Sequence, residues 1–185
     1  MLEDLKKDAT VRMQKCVTAF KDQLKKIRTG RAHTSLIEHI RVDYYGSEMP
    51  LNQVANIATE DARTLTISPW EKNMVPVIEK AIYKSDLGLT PNTAGQMIRI
   101  NMPALTEERR RDIVKMVKAE AENARVAVRG VRREVMTELK DMLKEKLIAQ
   151  DDDRRAQDEI QKLTDKHVAD IDHAMADKEK ELLQV

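Results

Sequence analysis

TEERRRDIVKMVKAEAENARVAVRGVRREVMTELKDMLKEKL, residues 106–147, is the stretch that decides the architecture. Apolar side chains recur along it at Ile113, Val117, Ala121, Ala124, Val128, Val131, Val135, Leu139 and Met142, in steps of three or four. Such spacing draws a single stripe along an α-helix. No proline follows Pro103, so nothing interrupts the pattern. Thr106 suits the N-cap, and Glu107 and Glu108 complement the positive end of the helix dipole. A helix running to about Leu147 would be roughly 60 Å long at ~1.5 Å per residue. A rod with one apolar face is not stable alone in water and has to bury that face.

Two more stripes supply the partners. Downstream, the pattern breaks at Gln150-Asp151-Asp152-Asp153, where the aspartates are expected to cap the next helix. Ala156, Ile160, Leu163, His167, Ile171, Ala174, Met175, Lys178 and Leu182 then continue nearly to the end. Upstream, residues 2–28 carry Leu2, Leu5, Ala9, Met13, Cys16, Phe20, Leu24 and Ile27 at helical spacing. Thr29-Gly30 ends that run. Three long amphipathic helices point to an antiparallel three-helix bundle from residues 1–29 and 106–185. The competing arrangement is an extended dimeric coiled coil, but residues 30–105 separate the first helix from the second.

That insert has a different texture. It holds all five prolines, Tyr44, Tyr45, Trp70, and every glycine except Gly130. Ile40–Tyr45 alternates and ends at Gly46, a strand and turn signal. Val54–Ile57 and Thr64–Ile67 read as further short strands. Val75–Ile82 reads as a helix with Pro76 in its first turn. Leu87-Gly88-Leu89 and Met97–Ile100 suggest a last hairpin-like pair about a Pro91-Asn92-Thr93 turn. The fold class is therefore α+β: a helical bundle with a small α+β domain inserted after its first helix. The chain passes between the two only twice, at Thr29-Gly30-Arg31 and Pro103-Ala104-Leu105, which makes those segments a candidate hinge.

A formal net charge of +1 conceals segregation. Residues 1–30 carry net +4, residues 31–105 net −1, residues 106–148 net +3 and residues 149–185 net −5. The sharpest feature is Arg125, Arg129, Arg132 and Arg133. The first three lie at i, i+4 and i+7, on one helical face. Arg109, Arg110 and Arg111 cluster at the start of the same helix, and Lys21, Lys25 and Arg28 form a row on the first. Guanidinium forks on a rigid rod suit phosphate and the nucleic-acid backbone. The plainer reading is a solvated face paired with neighbours such as Glu122.

Several chemistries find no support. Cys16 is the only cysteine, so an intramolecular disulfide is impossible; its place on the stripe suggests a core residue. No Gly-rich phosphate loop and no nucleophile elbow occur. His167 and His173, six apart, do not share a helical face. No metal or other cofactor is expected, and His33 and His39 have no evident catalytic partners. The Asp151–Asp153 run lacks the glycine and closing Glu of a calcium loop. The charged N-terminal segment and the lack of a long apolar run lead to the expectation of a cytoplasmic protein with no membrane span.

Six or more motifs, in order, then resemble one family. They are Lys26-Ile27-Arg28-Thr29-Gly30-Arg31-Ala32, Val42-Asp43-Tyr44-Tyr45-Gly46, Ser85-Asp86-Leu87-Gly88-Leu89-Thr90-Pro91-Asn92, Pro103-Ala104-Leu105-Thr106-Glu107-Glu108-Arg109-Arg110, Ala124-Arg125-Val126-Ala127-Val128-Arg129, Asp151-Asp152-Asp153-Arg154-Arg155 and Gln161-Lys162-Leu163-Thr164-Asp165. They span essentially the whole chain, which resembles bacterial ribosome recycling factors.

The resemblance implies an L-shaped, two-domain, monomeric molecule whose insert is a small β/α/β sandwich. It implies binding to the ribosome after termination, with the bundle on large-subunit ribosomal RNA. Elongation factor G with GTP would then split the subunits, the factor itself hydrolysing nothing. Arg129 and Arg132 are implied as RNA contacts, and Arg28, Gly30 and Arg31 match the joint. The RNA-binding set expected is thus Arg28, Arg31, Arg110, Arg125, Arg129, Arg132 and Arg133. The bottom-up alternatives are a coiled-coil scaffold and an enzyme with an unrecognised site. Two departures are visible. Gly130 stands where the family usually has Asn, at about 1 kcal/mol relative to Ala for a mid-helix glycine. Ser68-Pro69-Trp70 leaves the end of its strand open.

Overall fold

The structure is a computed structural model and describes residues 1–27 and 29–184. The chain divides into two compact units, one made of Met1–Arg28 and Thr106–Val185, the other of Thr29–Leu105.

The first unit is the three-helix bundle: α1 (Leu2–Lys26), α3 (Glu107–Lys144) and α4 (Gln150–Leu183), each packed on the other two. Thr106 caps α3, its hydroxyl accepting from the Arg109 amide at 3.2 Å. Helix α3 ends earlier than about Leu147, and a local turn accounts for it. The Leu147 amide reaches back to the Met142 carbonyl and the Lys146 amide to that of Leu143. These bonds form a Schellman motif with Lys146 in the left-handed position, at φ 58. No glycine announced this stop. Helix α4 is not capped by its aspartates either: Ala149 is the N-cap, without a side-chain bond. Asp151, Asp152 and Asp153 lie inside the first turn, where their charge complements the dipole directly.

Pairs along the rods fix their directions. Arg125 meets Asp172, Arg132 meets Gln161 and Lys118 meets Glu179, so α3 and α4 run antiparallel. Lys6 pairs with Glu159 and Arg12 with Glu134, which ties α1 to both of the other rods. Between the rods, Met13, Leu139, Ile160 and Ile171 are fully buried. Burial of each such side chain is worth about 1.5–3 kcal/mol. Two expected stripe positions shift by one residue. Val17 is buried and Cys16 only half-buried; likewise Thr164 is buried and Leu163 half-buried. Steps of three and four fit a 3.6-residue turn from either neighbour, so packing decides between them. Partial burial raises the Cys16 thiol above its ordinary pKa.

The second unit contains β1 (Arg41–Tyr44), β2 (Ser47–Pro50), β3 (Ala55–Asp61), β4 (Thr64–Pro69), α2 (Val75–Lys84), β5 (Pro91–Ala94) and β6 (Met97–Asn101). Strands β1 and β2 pair as a hairpin, and a four-stranded antiparallel sheet has the order β3-β4-β6-β5. Ile98 and Ile100 point inward from β6 while Met97, Arg99 and Asn101 stay exposed, the alternation of a half-buried strand. With Ile37, Val42, Leu51, Leu65, Ile67, Ile78 and Ile82 they form a buried apolar core. The Pro91-Asn92-Thr93 segment is not a turn. It is strand β5, paired residue for residue with β6, and the reversal falls at Gly95, φ 65. Pro91 is tolerated because it opens an edge strand. Pro69 is tolerated in β4 because it lies past Ile67, the last residue paired with β6.

Candidate nucleic-acid interface

Helix α3 positions the arginines, and its backbone continues unbroken through Gly130. Among the described residues, nothing beyond its chain neighbours and the helix's own backbone lies within 4 Å of where a Gly130 Cβ would be, so no tertiary packing demands glycine there. At about 100° per residue, Arg125, Arg129 and Arg132 project within roughly 60° of one another, flanking the buried stripe.

The four arginines prove chemically unequal. Arg125 clamps α3 to α4. Its Nε donates to Asp172 Oδ1 at 2.8 Å, its Nη1 to Glu122 Oε2 at 2.9 Å, and its Nη2 lies 3.6 Å from the Met175 sulfur. Its side chain is only 17% exposed. Burial disfavours the cation, but the Asp172 and Glu122 carboxylates outweigh it and raise the pKa above the ordinary arginine value. Arg129 is 49% exposed, with one loose ion pair to Glu122 at 3.6 Å. Arg133 is exposed and makes no side-chain hydrogen bond or ion pair among the described residues.

Arg132 is held rather than clamped. Its Nη1 donates to Gln161 Oε1 at 2.7 Å, and its Nε is buried without a partner. Arg132 and Arg133 line a groove between α3 and α4, together with Met136, Lys140, Gln157 and Gln161. Asp153 lies in the groove wall, buried, accepting from Gln157 Nε2 at 2.8 Å.

Arg110 is half-buried, with its Nε unpaired. Arg31 is exposed and engaged in an interaction of its own. Arg28 lies outside the described residues. His167 is a core residue, its ring Nδ1 2.7 Å from the Leu163 carbonyl. Sequence spacing offered no sign of Gln161 as the partner of Arg132, nor of Asp172 as the partner of Arg125. Both partners lie on another helix and depend on its register.

The segments joining the units are also defined. Gly30 adopts φ +79, and a Cβ there would sit 3.1 Å from Leu105 Cγ, so the two segments lie side by side. The Ala32 amide donates to the Ala62 carbonyl at 2.8 Å and the Met102 amide to that of Arg63 at 2.7 Å. Both are thereby pinned to the β3–β4 turn.

Comparison with known proteins supplies the lineage. The family model described as ribosome recycling factor matches residues 20–183. The ribosome-recycling factor of Thioalkalivibrio sulfidiphilus is 60% identical over 185 residues, covering all of both chains. That of Chromobacterium violaceum is 58% identical over the same length, again with full coverage. A solution structure of ribosome recycling factor aligns with a TM-score of 0.75 at 42% identity, covering 100% of this chain and 98% of the other. A second structure describes the T. thermophilus ribosome recycling factor and the E. coli elongation factor G bound to the E. coli post-termination complex. It aligns at TM-score 0.63 and 44% identity, over 99% of both chains. With motifs, topology and full-length similarity in agreement, the chain belongs to the ribosome recycling factor family.

Proposed function

We propose that this chain recycles ribosomes: it binds the post-termination ribosome and, with elongation factor G and GTP, promotes its separation into subunits. Family membership and the T. thermophilus relative placed with elongation factor G on that complex support the reading. The observation that carries the RNA contact is the exposed edge of α3. There Arg129 and Arg133 stand in solvent beside an anchored Arg132, on a helix 38 residues long. Cations on such a rod meet a phosphate backbone without rearrangement. Arg110, on the same helix, and Arg28 and Arg31 complete the proposed RNA-binding set, with Arg125 acting mainly as a clamp.

The chain acts in this reading as a monomeric, cytoplasmic binding factor. No helix among the described residues is long and apolar enough to cross a membrane. It performs no hydrolysis of its own, the nucleotide chemistry belonging to elongation factor G. Residues 29–31 and 103–105 serve as the hinge, two adjacent segments that permit rotation while limiting separation. The test is splitting of purified post-termination ribosomes into subunits, followed by light scattering. Splitting that requires this chain, elongation factor G and GTP together is the expected result. Splitting at the same rate without this chain would refute the assignment.

A further inference from the structure

Arg132 is half-buried, yet among the described residues nothing of opposite charge holds it. Its side-chain hydrogen-bond partner among the described residues is a neutral amide oxygen, Oε1 of Gln161, across the α3/α4 groove at 2.7 Å. Gln161 is in turn fixed from its other end: its Nε2 donates to Asp165 Oδ1, one turn further along α4, at 2.9 Å. The Asp165 carboxylate accepts only, so it selects the orientation of the amide. Nitrogen must face Asp165 and oxygen must face Arg132. The relay Asp165–Gln161–Arg132 thus fixes the direction of a guanidinium without neutralising it. Arg125 is the contrast on the same face: two carboxylates fix it and cancel its charge.

We propose that Gln161 is a positioning residue for RNA binding, oriented by Asp165, which holds the Arg132 fork ready for a backbone phosphate. This rests on the reading of the α3 arginine edge as the RNA-binding surface. A long side chain that is already ordered loses less freedom on docking. A neutral holder leaves the positive charge of the guanidinium available. Electrostatic steering depends on the charge and not on its orientation. Loss of the relay therefore acts on dissociation rather than on association.

The experiment measures binding of the full chain to purified ribosomes at one fixed salt concentration, as equilibrium affinity and as rates. It uses Gln161→Leu, Arg132→Ala, the double variant and Asp165→Ala, with a thermal melt of each. Gln161→Leu should weaken binding roughly tenfold through faster dissociation, and by less than about twofold when Arg132 is already alanine. Asp165→Ala carries the sharper sign. Removing a negative charge from a basic RNA-binding face strengthens binding if only the general field matters. The relay requires the opposite, a loss of about threefold. The proposal is overturned if Gln161→Leu weakens binding equally in both backgrounds, since Gln161 then acts on its own. Tighter or unchanged binding by Asp165→Ala overturns it too, and needs no folded Gln161 variant. If Arg132→Ala alone binds as the parent does, the arginine edge falls together with the relay. That outcome is distinct from the first two, which leave the edge standing.

Discussion

Truncation of Arg125 to alanine separates two roles that its sequence position merges. Its guanidinium joins α3 to α4 through Asp172, at 2.7 Å, and to Glu122 on its own helix, at 2.9 Å. Fully exposed ion pairs contribute about 0.2–1 kcal/mol. Here the arginine is 17% exposed and its two carboxylates about half. Its Nη2 also lies 3.6 Å from the Met175 sulfur, so the truncation removes that contact as well. Together these give a loss of about 1–2 kcal/mol, slightly offset by the better helix propensity of alanine. For a chain of this size a kilocalorie corresponds to about 2–4 °C in Tm. Arg125→Ala should therefore lower the bundle's melting temperature by about 3–6 °C, read by far-UV circular dichroism. Ribosome affinity should change by less than about twofold, because two carboxylates already occupy the donors. Arg129→Ala should behave inversely, with binding about tenfold weaker and Tm within about 1 °C of the parent. If Arg125→Ala melted like the parent and lost tenfold in affinity, the clamp assignment would be wrong.

Three further substitutions follow from the same geometry. Arg132→Lys keeps the charge but lacks the planar fork. Ribosome titration should show an intermediate loss, whereas full retention would mean that only a general basic field is read. Gly30→Ala forces φ +79 on a residue with a Cβ, at about 1–2 kcal/mol, and sets that carbon 3.1 Å from Leu105 Cγ. It should slow subunit splitting more than it weakens ribosome binding, and parity of the two effects would speak against a hinge. Lys146→Gly relieves a left-handed residue at φ 58 between α3 and α4. Tm should rise by about 2–4 °C with binding unchanged, and a fall in Tm would show that the lysine side chain matters more than its backbone.

The fold was legible wherever one periodic signal ran long enough. Over α3, seven of the stripe positions, Val117 to Leu139, are buried as the spacing requires, because a 38-residue helix averages out local ambiguity. The short insert offered no such averaging. A four-residue run containing Pro91 resembles a turn by composition, and only its pairing with β6 makes it a strand. Element ends were the least legible. The stop of α3 depends on Lys146 taking a conformation for which lysine has no preference, and composition carries no sign of it.

The arginine edge was legible as a set but not as individuals. The spacing of Arg125, Arg129 and Arg132 fixes their common face, since that depends on one helix alone. What each can do depends on the residue opposite, and so on the register of α4 against α3. That register places Asp172 against Arg125 and Gln161 against Arg132. A shift of one turn could set the Asp165 carboxylate in place of the Gln161 amide opposite Arg132 and turn an available cation into a neutralised clamp. Charge counting along a single helix therefore overstates the number of arginines able to meet phosphate. If the α3 edge meets RNA as proposed, the arginines left for it are those whose neighbours on α4 do not cancel them: Arg129 and Arg133 by exposure, and Arg132 because its holder is neutral.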